Sequence, residues 1–312
     1  MVELSPDAAP GWLRPLLDNV AAVPSAYRNR TPADVLAAIN SANAAATRAG
    51  TKRDAAVPSA YRNRTPADVL AAINSANAAA TRAGTKRDAA VLVLFSGPAD
   101  APSGYPPRGD FGGPPRGDLG GPPRGDLGGP PPETDLLVTV RASSLRNHSG
   151  QAAFPGGVSD PEDDGPVATA LREAREETGV DTTRLTPLAV LDRMFIPPTG
   201  FHVVPVLAYS PDPGPVRVVD PAEAAIVARV PLRAFINPEN RLMVYRQANT
   251  SRFAGPAFLL NQMLVWGFTG QVISALLDVA GWAQPWNTDD VRELEEAMAL
   301  VSSPSQYGEA QR

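Results

Sequence analysis

Apolar residues gather in short stretches along this chain. Ala89–Phe95 and Asp135–Arg141, with Leu136, Leu137, Val138 and Val140, are strand-length runs bounded by Pro, Gly and Asp, and they predict β-strands. The pattern changes to helical over Val167–Glu177, then returns to strand in the β-branched runs Leu188–Ile196 and Phe201–Tyr209. Ala222–Ala228 reads as a short helix before Val230-Pro231-Leu232, and Ala257–Val279 and Thr288–Val301 read as C-terminal helices. Strands and helices interspersed in this way predict an α/β (α+β) domain, layered α/β/α around one mixed sheet.

Two segments repeat internally. Ala21–Asp54 recurs without a change as Ala55–Asp88, a period of 34 residues. Each copy reads as one helix: Thr31 is the N-cap, Pro32 the first helical residue and Gly50 the stop, with Thr65, Pro66 and Gly84 in the same roles in the second copy. The period is that of a tetratricopeptide repeat, but the aromatic and glycine positions of that pattern are missing and two copies are too few for a solenoid. A duplication is the simpler reading. Only the second copy runs directly into a strand, so it is expected to dock while the first is surplus.

The other repeat, Pro106–Gly129, is Pro-Pro-Arg-Gly-Asp-Phe/Leu-Gly-Gly three times over. Its composition describes an extended loop, placed as an expanded hairpin tip at residues 98–133. Its Arg-Gly-Asp triplets (Arg108–Asp110, Arg116–Asp118, Arg124–Asp126) match a tripeptide of integrin ligands, but three residues recur easily by chance. The expected organisation is a helical extension (1–88), a main domain (89–282) and a C-terminal helix with tail (283–312).

Composition narrows the chemistry. With no cysteine there are no disulfides, thiol nucleophiles or thiolate metal sites. Only two histidines, His148 and His202, are available, so a metal site here needs oxygen ligands, which suit magnesium or manganese. A net charge of -5 gives no general case for a nucleic-acid or anionic-membrane partner. Met1–Val20 lacks the basic and apolar regions of a signal peptide and no apolar run reaches membrane-spanning length, so a cytoplasmic protein is expected.

The helix Val167–Glu177 carries the candidate chemistry. Glu173, Glu176 and Glu177 are spaced i, i+3, i+4, which places three carboxylates on one face within about a turn. Three anions there repel one another unless a cation compensates, and a divalent metal does so. Arg172 lies four residues before Glu176 and can clamp a carboxylate. Alone, this face reads better as a solvated acidic surface paired to Arg172 and Arg175.

Its surroundings decide between the two. Arg172-Glu173-Ala174-Arg175-Glu176-Glu177-Thr178-Gly179-Val180 resembles the C-terminal half of the Nudix box. The N-terminal half departs from it: Gly157 lies one residue too far upstream, and Asp163 or Asp164 stands for the early Glu. Leu137-Val138-Thr139-Val140-Arg141-Ala142, Arg146, Gly150 and Phe154-Pro155-Gly156-Gly157 are similar to the signature of the coenzyme A pyrophosphatase branch, which shows the same longer spacing. Pro197–Phe201 and Trp266–Thr269 are similar to further stretches of that branch, so the resemblance runs from about Ala89 to Trp282.

The resemblance implies a Nudix-like α/β/α sandwich and metal-dependent hydrolysis of a pyrophosphate. It implies Mg2+ or Mn2+ held by Glu173, Glu176, Glu177 and the Gly157 carbonyl. The general base is open between Glu173 and Glu223, and Glu223 reads equally as a carboxylate at a helix N-terminus. Arg141, Arg146, Gly150, Phe154 and Gly156 are the substrate-side candidates, with the two arginines suited to phosphates or, otherwise, to surface ion pairs. His148 is either a substrate contact or structural, His202 structural, and Trp266 a helix-core residue. Three functions follow: hydrolysis of coenzyme A to 3′,5′-ADP and 4′-phosphopantetheine; a Nudix activity on ADP-ribose, dinucleotides or damaged nucleoside triphosphates; or a non-catalytic scaffold.

Overall fold

The computed structural model describes residues 3–28, 87–100, 129–142, 151–196, 200–248, 251–261 and 263–302. The helices expected at 31–50 and 65–84, the Arg-Gly-Asp loop, Arg146, His148, Gly150 and 197–199 lie outside the described residues.

The main sheet has eight strands: β1 (Arg87–Ser96), β2 (Asp135–Arg141), β3 (Ala152–Ala153), β4 (Gly156–Val158), β5 (Thr186–Val190), β6 (Met194–Ile196), β7 (Phe201–Ser210) and β8 (Ala224–Pro231). β1 pairs parallel with β7 over its whole length, from Arg87↔Phe201 to Ser96↔Ser210. Its other edge is shared. β2 holds only Phe95 and Ser96, while β4 holds Ala89, Ala90 and Val91. β1 and β2 therefore meet at the hairpin end and part toward the other, and the β3–β4 segment fills the opening. Leu92 donates its amide to Pro155 O at 2.8 Å and Ser159 to Asp88 O at 3.0 Å, fixing that segment as it passes.

The strands alternate as the period of two requires. Ala90, Leu92 and Leu94 face helix α3 (Pro166–Thr178), whose buried stripe is Val167, Ala170 and Ala174. Val93 and Phe95, with Leu136, Val138 and Val140 of β2, face the opposite layer. That layer is made by helix α5 (Gly267–Ala280), the short α4 (Leu232–Ile236) and the N-terminal segment with α1 (Arg14–Leu17) and α2 (Val23–Arg28). The expected three-layer α/β/α arrangement is present.

Trp12 anchors the N-terminal segment. Its ring packs within about 6 Å of Phe95, Tyr209 and Trp282, and its indole N–H donates to Pro98 O at 3.1 Å. A second, four-stranded sheet follows: β9 (Arg241–Ala248), β10 (Ser251–Leu260), β11 (Met263–Val265) and β12 (Val291–Glu293), with helix α6 (Leu294–Ser302) packed on it. Among the described residues no helix is long and apolar enough to cross a membrane.

Several expectations are corrected. Ala222–Ala228 is not a helix: after a turn it is strand β8, paired with β2 from Asp135↔Pro231 to Arg141↔Ala224. Its alanines favour a helix, but pairing along the full length of β2 overrides that weak preference. The first part of Ala257–Val279 belongs to the β10–β11 hairpin, and Thr288–Val301 opens with β12, so the described residues form two sheets rather than one. Leu188–Ile196 is two strands, β5 and β6, separated at Leu191–Arg193. Each duplicated copy contributes one end to the fold. α2 opens the first copy and docks on α5, while the second copy supplies Arg87 and Asp88 to β1.

Candidate active site

Helix α3 begins at Pro166, which needs no amide partner there, and stops at Gly179, whose φ of 65° a left-handed cap requires. With Val167, Ala170 and Ala174 turned to the sheet, Arg172, Glu173, Glu176 and Glu177 are left toward the β3–β4 segment and solvent. Gly156 and Gly157 come against them because β4 lies in the β1–β2 opening. A Cβ on Gly156 would meet Ala90 O at 2.4 Å and the Val91 Cα at 2.6 Å. A Cβ on Gly157 would meet the Glu173 carboxylate, 2.5 Å from its carbon and from Oε1. The first glycine is demanded by backbone, the second by a catalytic-candidate side chain.

Arg172 is the organising cation. Its Nε and Nη2 donate to Asp163 Oδ1 and Oδ2 at 3.0 and 2.9 Å, Nη2 also to Val158 O at 3.0 Å, and Nη1 to Glu173 Oε1 at 3.0 Å and Glu176 Oε2 at 3.1 Å. One guanidinium thus ties the loop before the helix to two carboxylates on it, a use for which a planar fork suits better than an ammonium. Asp163 also accepts the Asp160 amide at 2.9 Å. The Arg172 hydrogen bonds hold the Asp163 carboxyl far below the usual carboxylate range. Of the two aspartates that could stand for the early Glu, Asp163 is the one joined to Arg172.

Glu177 has a different partner and accepts the Gly156 amide on Oε2 at 3.2 Å. Burial pushes its carboxyl up to about 7; the Gly156 amide and Arg141 oppose this, and the Glu173 and Glu223 charges add to it. Glu173 is also raised, by burial first, against the pull of Arg172. The three carboxylates share a helix face as the spacing predicts, yet they are distributed between two donors. Among the described residues no three Asp, Glu or His side chains converge as a ready-made metal cage.

Arg141, at the end of β2, puts its charge within range of Glu177. Its Nε is buried and has no hydrogen-bond acceptor among the described residues. Glu223 is exposed, and its backbone is fixed by Glu223 N–H to Asp220 O at 3.1 Å and by Ala142 N–H to Glu223 O at 2.9 Å. It therefore stands in a turn before a strand, near Glu177, rather than at a helix N-terminus. Phe154 is 3% exposed and packs in the core on the far face of the sheet, which makes its ring a support rather than a surface for substrate. His202 is buried beside Phe195, ring centroids 4.9 Å apart, and is structural. Trp266 is the residue before α5 rather than a core position within it.

The sequence reading missed Asp163, Asp160 and Val158 O as partners of Arg172. The only local signal was an acidic loop just ahead of the helix.

A family model for the NUDIX domain matches residues 131–248. An uncharacterized Nudix hydrolase, NudL, of Photorhabdus laumondii is 36% identical over 149 residues, 46% of this chain and 76% of that protein. The chain belongs to the Nudix hydrolase family. NudL of Escherichia coli, also described as an uncharacterized Nudix hydrolase, is 34% identical over 151 residues, 46% of this chain and 74% of its own length. A solved NUDIX hydrolase from Alicyclobacillus acidocaldarius shares 22% identity over 48% of this chain and 81% of its own, with a TM-score of 0.32, a likeness too slight to add to the assignment. As a Nudix hydrolase, the chain acts on a pyrophosphate bond.

Proposed function

We propose that this Nudix hydrolase cleaves the pyrophosphate of coenzyme A and its acyl derivatives, releasing 3′,5′-ADP and (acyl-)4′-phosphopantetheine. The observation that carries the reading is Arg141. It presents a buried donor with no acceptor among the described residues, beside the carboxylate face and on the strand that bears the coenzyme A-type signature. A phosphate oxygen would satisfy that donor, and fork-shaped binding suits the phosphates of the nucleotide half.

The donor set fits Mg2+ or Mn2+. It consists of the Glu173, Glu176 and Glu177 carboxylates with the Gly157 carbonyl, all hard oxygens, in a chain without a thiol. A divalent ion supplies charge neutralisation of the pyrophosphate and a bound water of lowered pKa. The protein's own part is positioning. Arg172 sets the rotamers of Glu173 and Glu176, the Gly156 amide sets Glu177, and Gly157 keeps space for the Glu173 carboxylate. Glu223 or Glu173 accepts the proton of the attacking water, and the fixed backbone of Glu223 beside Glu177 favours Glu223. Arg146 and Gly150 complete the substrate side.

The test is a panel of coenzyme A, an acyl-coenzyme A, dephospho-coenzyme A, ADP-ribose, NADH and 8-oxo-dGTP with either metal, read by mass spectrometry. Release of 3′,5′-ADP from coenzyme A ahead of every other product, abolished by EDTA and by Glu176→Gln/Glu177→Gln, is the expected result. Turnover of ADP-ribose or a nucleoside triphosphate alone overturns the substrate; full activity in excess EDTA overturns the mechanism.

A further inference from the structure

Val23 of α2 is fully buried, Ala26 packs on the same core, and Tyr27 lies against Phe268 of α5 with ring centroids 5.9 Å apart at 63°. The residues that make these contacts recur unchanged, since Ala21–Arg28 is identical to Ala55–Arg62. We propose that this α5 face is a docking surface with two interchangeable occupants within one chain: Val23–Arg28, which holds it in the structure, and Val57–Arg62, which takes its place when the first is damaged.

Identical side chains offer the surface identical contacts, so only the tethers distinguish the two segments. The first follows directly on Trp12, Leu13 and Leu16, all buried in the same core. It is presented to α5 with little freedom left to lose, and it wins in the intact chain. The second is joined to the start of β1 by the 24 residues between Arg62 and Arg87. With the helix expected over residues 65–84, about 30 Å long, and the residues flanking it, such a linker reaches roughly 40 Å, about the breadth of a domain of this size. It keeps the second segment at roughly millimolar effective concentration, which favours refilling the vacated face from the same chain over capture from another molecule at micromolar concentration. The cost of the exchange is one further loop closure, Ala22 to Val57, and that cost grows only slowly with loop length.

Three full-length variants test this: Val23→Asp, Val57→Asp and the double variant. An aspartate at the buried Val23 position cannot dock. Val57→Asp alone is expected to leave the melting temperature unchanged. Val23→Asp alone should lower it by a few degrees, and the double variant by roughly 10 °C, more than the two single effects together. The chain has no cysteine, so a short bis-maleimide cross-linker reports occupancy directly. Tyr27→Cys with Phe268→Cys is the control, and Tyr61→Cys with Phe268→Cys is expected to link within one molecule once Val23→Asp is present. The proposal is overturned if Val23→Asp alone is as destabilising as the double variant. It is also overturned if the Tyr61→Cys, Phe268→Cys, Val23→Asp chain fails to link while the control links, or links only as covalent dimers.

Discussion

Adjacent glycines with different neighbours allow folding and catalysis to be separated by single methyl groups. In Gly157→Ala the new Cβ lies 2.5 Å from the carboxylate carbon of Glu173, where ordinary contact needs at least 3.4 Å. The carboxylate has to withdraw by about 1 Å, a displacement of catalytic groups that costs on the order of 100-fold in rate. The fold gives way little, because the obstructing atoms end a flexible side chain that is 18% exposed. Losing its hydrogen bond to Arg172 costs about 1 kcal/mol, or 2–4 °C in melting temperature. In Gly156→Ala the obstruction is Ala90 O at 2.4 Å and the Val91 Cα at 2.6 Å, both in the pairing of β1 with β4. Backbone in a paired strand cannot step aside, so that ladder breaks, at roughly 3 kcal/mol or more. Kinetics with coenzyme A and thermal unfolding, run on both variants, read the difference. Wild-type kcat in Gly157→Ala, or equal losses of melting temperature in the two variants, would refute the reasoning.

Asp163→Asn removes the charged partner that Arg172 holds in two hydrogen bonds, with Asp163 8% and Arg172 21% exposed. A loss of about 2 kcal/mol, or 4–8 °C, is expected at neutral pH. Because the folded Asp163 carboxyl is held below its ordinary value of 3.8, its contribution is complete above that pH and is lost below it. The gap between variant and wild type should therefore narrow on acidification below about pH 4; a gap that widens in acid contradicts the assignment. Trp12→Ala strips three aromatic neighbours and the bond to Pro98 O, and should cost about 3–5 kcal/mol in urea unfolding. Activity near 20 °C should survive it, and an unchanged unfolding midpoint would show that the N-terminal segment is not part of the core. Replacing residues 101–128 by a short Gly/Ser connection should leave kcat and KM within about twofold, and a larger loss would place that loop at the substrate.

The sequence displayed best what local pattern determines. β1, β2 and β7 alternate or run apolar along their length, and α3 carries both its buried stripe and its box residues in one stretch, so both were legible. Ala222–Ala228 misled because Ala and Glu favour helices in isolation, whereas its partner in the fold, β2, lies far away in sequence. Phe258–Val265 is a short apolar run that periodicity cannot assign; Asn261 at its turn was the available hint. The Arg172 hub is legible on the helix side, where Glu173 and Glu176 sit at helical spacing, and illegible on the loop side, because Asp163 and Val158 reach it only through the loop's path. Trp12 has no periodic neighbours, and its burial follows from three residues scattered over the chain.

The strand β1 has the candidate site at one end and the Arg-Gly-Asp repeat beyond the other. Ala90 faces Gly157, while Trp12 and Tyr209 grip Pro98 and Gly97 through their carbonyls, about 20 Å further along. Short tandem repeats gain and lose units readily as DNA is copied. With a stiff, fully paired strand between them, a change in unit number pulls on an aromatic anchor rather than on the carboxylates. Alleles of this protein with two or four units are then expected to be equally competent, and selection would see the repeat only through whatever its length does outside the enzyme.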